Sequence, residues 1–258
     1  MRYVLHLSYF GKNYSGWQRQ DNALSVQEEV ENTLSTLLKN KTELTGCGRT
    51  DSGVHAHNFY AHFDTESPLP KELLYHANSV LCSDITLHGI ISVPHDWHAR
   101  FSAVKRSYRY YISLVKNPFM RDFSWQTPYS LDINSMKLAA DTLKDYNDFT
   151  SFARLHGGQK TNFCTIKNVG FTQKNNTLIF EISADRFLRN MVRAIVGTLV
   201  DVGRGYLSTS EFISIIEDKD RSSAGASAPA QGLFLTSVEY NPTLGKEHYK
   251  NVEDFPYL

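Results

Sequence analysis

Twice along this chain the spacing of apolar residues switches from every second position to every third or fourth, in the same order, and that order leaves few folds open. Residues 2–10 alternate, with Tyr3, Leu5, Leu7 and Tyr9 on one face, the period of a half-buried strand. Ser25 and Glu28 then form a capping box for a helix whose apolar stripe is Val26, Val30, Leu34, Leu37 and Leu38. Short strands are predicted at about 41–47 and 57–65, a helix at about 71–81 and a strand at about 84–93. This is βαββαβ, the ferredoxin-like order. The second half repeats it. A strand at about 104–115 precedes a helix at about 132–145 capped by Asp132, and strands at about 164–172 and 177–184 flank Lys174-Asn175-Asn176. Helices at about 186–202 and 209–218 and a strand at about 232–240 complete it. The predicted fold is α+β: two ferredoxin-like halves whose mostly antiparallel sheets join around a central cleft. Domains are expected at 1–103 and 104–240, the first carrying the glycine-rich loop Gly46–Ala56, with a polar tail at 241–258.

A chain of 258 residues can bury a sizeable core. No apolar run approaches the ~20 residues that cross a bilayer, so no membrane association is expected. The opening MRYVLHLSYFG reads as a strand rather than a leader. The 3 cysteines, Cys47, Cys82 and Cys164, make no CxxC pair, which argues against a disulfide framework or structural zinc and for a cytoplasmic location. Lys plus Arg and Asp plus Glu balance at 27 each, mildly against a nucleic-acid binder. The charge is uneven, however. Between Trp97 and Arg121 stand Arg100, Lys105, Arg106, Arg109, Lys116 and Arg121 with no acid among them. No Walker-type loop, dinucleotide fingerprint or serine elbow occurs.

In the second half the central hairpin turn is minimal, whereas in the first it has grown into Gly46–Ala56, and extended loops on rigid scaffolds tend to carry function. Within TGCGRTDSGVHAHNFYAHFD, Asp51 reads either as turn chemistry or as a carboxylate presented beside Arg49, with glycines letting a ligand approach the backbone. His55 and His57 share one side of a strand and, with Asp51, offer a metal site as a third reading, while His62 falls opposite. Cys47 is either an activated thiol or a small strand-end residue. Arg193 sits in the mostly apolar helix FLRNMVRAIVGTLV, where it either snorkels or pairs with a facing carboxylate, Asp51 being a reasonable partner. In KRSYRYYISL (105–114), Tyr108 and Tyr110 share one strand face and Arg109 and Tyr111 the other. This spacing suits half-buried core and also a surface that stacks on bases and touches phosphates.

GRTDSGVHA (48–56) resembles the signature loop of the tRNA pseudouridine synthase A family, usually written GRTDAGVHA. FGKNYSGWQRQ (10–20), WHARFSAVKRSYRYYI (97–112), NPFMRDFSW (117–125), FLRNMVRAIVG (187–197) and APAQGLFL (228–235) resemble that family's blocks in order. Ser52 replaces the usual alanine, and GKEHYKNVEDFPYL (245–258) matches no block. The resemblance implies an isomerase that works without cofactor or metal, as a homodimer, on uridines at positions 38 to 40 of the tRNA anticodon stem-loop. It implies that Asp51 is the essential aspartate and that Arg49 helps flip the target base and fills its place. It further implies that Tyr108 packs on the base as a proposed general base, that Arg193 pairs with the aspartate, and that Leu233 contacts the pocket. Arg100, Lys105, Arg106, Arg109 and Arg121 are the candidates for tRNA phosphates. The alternatives are a non-catalytic RNA-binding module and a metal-dependent hydrolase using Asp51, His55 and His57.

Overall fold

A computed structural model describes residues 1–154 and 161–241. The predicted tail therefore lies, beyond residue 241, outside the described residues. The protein is α+β and divides into two compact units, Met1–Val104 joined by the described residues from Leu235 onward, and Lys105–Phe234. The last strand was expected to belong wholly to the second half, yet the division falls within it.

The first unit runs β1 (Arg2–Tyr9), α1 (Val26–Leu38), β2 (Thr45–Gly46), β3 (His55–Asp64), α2 (Leu73–Val80) and β4 (Ile85–Val93). Its sheet order is β4-β1-β3, with antiparallel pairings such as Leu5↔Ala61 and Leu5↔Ile90. Ser25 caps α1 by accepting from the Glu28 N–H at 3.2 Å, and Val26, Val30 and Leu34 are buried as their spacing requires. The strand predicted over 41–47 shrinks to two residues. The reason lies in α1: the Thr42 N–H goes to Ser35 Oγ at 2.9 Å and the Leu44 N–H to Glu31 Oε1 at 2.8 Å. Side chains of α1 thus take the donors a strand ladder would use.

Both faces of β3 are covered, which is why it is buried from His55 to Phe63. Phe59 packs beside Trp17 and Tyr9 on one face. On the other, Tyr60 lies between His6 and Tyr240. Tyr240 ends the final strand, and Asn58 Nδ2 donates to the carbonyl of Thr236 in the same strand at 2.7 Å.

From Lys105 to Phe234 the second unit holds most of β5 (Ala103–Ser113), then β6 (Trp125–Gln126), α3 (Ile133–Thr142), β7 (Ile166–Lys174), β8 (Thr177–Ala184), α4 (Met191–Gly203), α5 (Thr209–Asp218) and the first two residues of β9 (Leu233–Tyr240), whose remainder belongs to the first unit. Strands β5, β8 and β7 are antiparallel neighbours, and β6 adds two residues parallel to β5. Tyr108 stands opposite Ile182 and Tyr110 opposite Phe180. Asp132 caps α3 with bonds from the Asn134 and Ser135 N–H groups, and Ser208 with Glu211 forms a full capping box on α5. Asn175 turns the β7–β8 hairpin at φ +50°.

The helix expected from 186 begins only at Met191. Asn190 stands in the left-handed region at φ +66°, and the Arg186 N–H is taken by Asp185 Oδ1 at 2.7 Å, so the preceding residues form a separate turn. Fully buried Phe149, Phe152, Phe180, Phe212, Ile195 and Leu199 fill the core of this unit. Each such side chain contributes roughly 1.5–3 kcal/mol of burial.

Candidate active site

The loop between β2 and β3 is held by the segment that follows β1. The Gly53 N–H and Ser52 Oγ both donate to the carbonyl of Tyr14, each at 3.2 Å. Thr50 Oγ1 shares a 2.9 Å hydrogen bond with the hydroxyl of Tyr9. The turn itself closes backbone to backbone, from the Val54 N–H to the Asp51 carbonyl at 3.2 Å. Gly53 has φ +78°, as a type II turn requires at its third residue. Gly16 explains the glycine in FGKNYSGW: a Cβ there would stand 2.2 Å from the Thr50 carbonyl oxygen, and its φ is +91°. Only glycine permits that approach. Asp51 is half-buried and Arg49 exposed, on a loop tied at Thr50, Ser52 and Gly53.

The histidines do something else. His55 Nδ1 accepts from the Gly11 N–H at 3.0 Å while its ring stacks on Phe10 at 4.8 Å. Among the described residues no group of three or more His, Cys, Asp or Glu is placed to hold a metal ion, so the Asp51–His55–His57 reading finds no centre. Cys47 is buried, and its N–H enters the ladder to the Tyr60 carbonyl at 2.7 Å, as a strand-end residue does. Among the described residues no helix is long and apolar enough to cross a membrane.

In the second unit Tyr108 is half-buried on β5, with its ring edge-on to Phe187 at 5.1 Å. Arg193 lies in the first turn of α4, half-buried between buried Val192 and Ala194. Its Nε donates to the Ala228 carbonyl at 2.8 Å, and the Ala228 N–H returns to the Arg193 carbonyl at 2.9 Å. Tyr110 donates its hydroxyl to the Pro229 carbonyl at 2.7 Å. Burial pushes that phenol well above its ordinary pKa, against the pull of the Arg193 charge, so Tyr110 stays protonated. Leu233 is buried at the start of β9.

The basic stripe is less bare than its sequence looks. Arg109 Nε meets Glu181 Oε1 at 2.5 Å across the β5–β8 ladder, where the two residues are in register. Arg106 Nη1 donates to the Asp185 carbonyl at 2.9 Å. Arg121 Nε lies 3.4 Å from Asp122 Oδ2, and both Arg100 and Arg121 are exposed, Arg100 over the Phe101 ring at 5.5 Å. Lys105 is half-buried on β5. The first unit therefore holds Asp51, Arg49 and Arg100, and the second holds Tyr108, Arg193, Leu233, Lys105, Arg106, Arg109 and Arg121.

Sequence reasoning missed the residues that hold these groups. Tyr9, Tyr14 and Gly16 brace the aspartate loop, and Phe187 and Ala228 stand against Tyr108 and Arg193. The signals were the Gly and Tyr spacing in FGKNYSGW and the run of small residues from Ser222 to Ala230.

The family description "tRNA pseudouridine synthase" matches residues 139–241. A tRNA pseudouridine synthase A of Parabacteroides distasonis is 47% identical over 242 residues, covering 93% of this chain and 96% of that protein. Its counterpart in Bacteroides fragilis is 49% identical over 242 residues with the same coverages, 93% and 96%. That of Clostridium acetobutylicum is 39% identical over 239 residues, covering 92% and 98%. A solved CRISPR endoribonuclease bound to RNA aligns at a TM-score of only 0.16 and 12% identity, covering 79% of this chain and 97% of that one, and carries no argument. An α+β chain with these relatives is an RNA-modifying isomerase. It belongs to the tRNA pseudouridine synthase A family.

Proposed function

We propose that this chain converts uridines at positions 38 to 40 of the tRNA anticodon stem-loop to pseudouridine, with Asp51 as nucleophile. The observation that carries the reading is the braced Asp51–Val54 turn, tied to Tyr14 and Tyr9 within a loop that matches the family signature. A covalent nucleophile needs a fixed geometry, and these bonds supply one.

The reaction is an isomerisation, so it balances within the substrate. Asp51 adds to the sugar or to the base, and the N1–C1′ bond breaks. The base turns, a C5–C1′ bond forms, the carboxylate is released, the C5 proton departs and N1 takes up a proton. Arg193 supplies the positive charge that balances the Asp51 carboxylate, and Tyr108, set by the edge of Phe187, packs on the base and receives the proton directly or through water. Taking the uridine out of its stack costs a few kcal/mol, and Arg49, exposed on the same loop as Asp51, fills the gap. Leu233 forms an apolar wall. Arg100, Lys105, Arg106 and Arg121 meet phosphates, whereas the Arg109 charge is already countered by Glu181. The enzyme acts as a cytoplasmic homodimer.

Tritium release from tRNA labelled at uridine C5 tests the reading, with Asp51→Asn and Asp51→Ala beside the wild type. Both variants should fold and bind tRNA, and both should lose nearly all turnover. Turnover within about tenfold of wild type, a barrier change of only ~1.4 kcal/mol, would remove Asp51 from the mechanism, whereas a wild type that binds tRNA and releases no tritium would leave a binding module.

A further inference from the structure

The run Ser222–Ala230 follows α5 and is laid flat on α4. Gly197 makes this possible: a Cβ there would stand 1.8 Å from the Ala226 carbonyl oxygen, so the loop backbone occupies the space of a side chain. One residue on, the hydroxyl of Thr198, itself fully buried, accepts the Gly225 N–H at 3.0 Å. One turn earlier Arg193 and Ala228 exchange their two bonds. The loop is therefore a rail fixed along α4 whose far end sets the guanidinium of Arg193.

The rail has one internal brace. Arg221 folds back over it, with Nη1 donating to the carbonyls of Ala224 and Gly225 at 3.2 Å each and Nη2 to Ser227 Oγ at 3.1 Å. Ser227 Oγ also accepts from Asn190 Nδ2 at 2.6 Å. Asn190 immediately precedes α4, so Ser227 ties the start of that helix to the loop. An arginine fork matches this arrangement because it reaches several acceptors in one plane, which a lysine ammonium does not. Nothing in the isomerisation calls on Arg221 chemically.

We propose that Arg221 is a positioning residue for the isomerisation, acting through Ser227 and Ala228 to hold the guanidinium of Arg193. The inference rests on the role given to Arg193 above. A guanidinium whose Nε donates to a backbone carbonyl is displaced when that carbonyl moves, and a displacement of about 1 Å in a reacting group lowers rates by as much as roughly a hundredfold.

A double-mutant cycle tests it, using the full-length protein and single-turnover rates on an anticodon stem-loop RNA. Arg221→Ala should lower the rate constant at saturating enzyme by about tenfold or more, with the RNA Kd within about twofold. Arg221→Lys should recover only part of the rate. In an Arg193→Lys background, Arg221→Ala should have almost no further effect, since the group it positions is gone. Equal losses in both backgrounds would overturn the proposal, as would a change confined to Kd. Should Arg221→Ala fail to fold, Ser227→Ala removes the shared acceptor and is read in the same cycle. A fully active Arg193→Lys single variant would instead overturn the role of Arg193 itself, a separate failure visible in a separate arm.

Discussion

The hydroxyls of Tyr9 and Thr50 meet at 2.9 Å, linking the end of the first strand to the residue before Asp51. The Tyr9 ring is held independently, beside Phe59 at 5.6 Å and Trp17 at 6.2 Å. Tyr9→Phe therefore deletes the bond and keeps the packing. Stability should fall by about 1 kcal/mol, while turnover should fall several-fold with tRNA affinity unchanged. Equilibrium unfolding and single-turnover assays read the two effects apart, and an unaltered rate would show that Thr50 needs no such support.

Gly16→Ala should be far more damaging. Its new methyl would meet a backbone oxygen, which cannot swing aside, at a φ that alanine resists. A loss of roughly 2–3 kcal/mol is expected in denaturant unfolding, together with most of the activity. A variant that melts with the wild type would mean that the loop relaxes at little cost.

Stability should fall in mild acid. His6 is buried, bonded at Nε2 to Asn58 Oδ1 at 2.7 Å and stacked on Tyr60, with His88 and its Ser8 partner alongside. Burial pushes its pKa down to about 4, the Asn58 bond opposing and His88 assisting. Burial likewise lowers His62 to about 4, helped by the Arg2 charge. The unfolded chain binds these protons near pH 6.5 and the folded protein does not, so stability is full above 6.5 and drains away between 6.5 and 4. For His6 alone the loss is on the order of 3 kcal/mol at the lower end. Urea midpoints should be level from pH 7 to 8 and decline below 6.5, and His6→Asn should flatten that slope.

Arg109 should matter little to RNA affinity, because Glu181 already holds its charge. Arg109→Ala is expected to change Kd by less than about threefold and to leave the salt dependence of tRNA binding as it was. A slope reduced by about one would show that Arg109 does reach a phosphate.

Much of the fold was legible because strands and capped helices announce themselves through local spacing. Ser25 and Asp132 cap helices through residues two or three positions away, and Val26, Val30 and Leu34 form a stripe with a helical period. Two boundaries were misjudged where distant groups intervened. Side chains of α1 captured the donors of residues 42 and 44, and Asn190 turned left-handed with its amide on Ser227, so α4 starts late.

By itself the sequence determined the α+β order, the enlarged Gly46–Ala56 loop and the reactive residue types on it, because all of these depend on spacing along the chain. Only the tertiary structure decided what braces that loop, where Arg109 spends its charge, and why Ser222–Ala230 is made of small residues. Those depend on atoms far apart in sequence meeting within a few ångströms, as Gly16 meets Thr50 and Gly197 meets Ala226. Close approach of this kind is set by the packing of whole elements, and no local pattern encodes it.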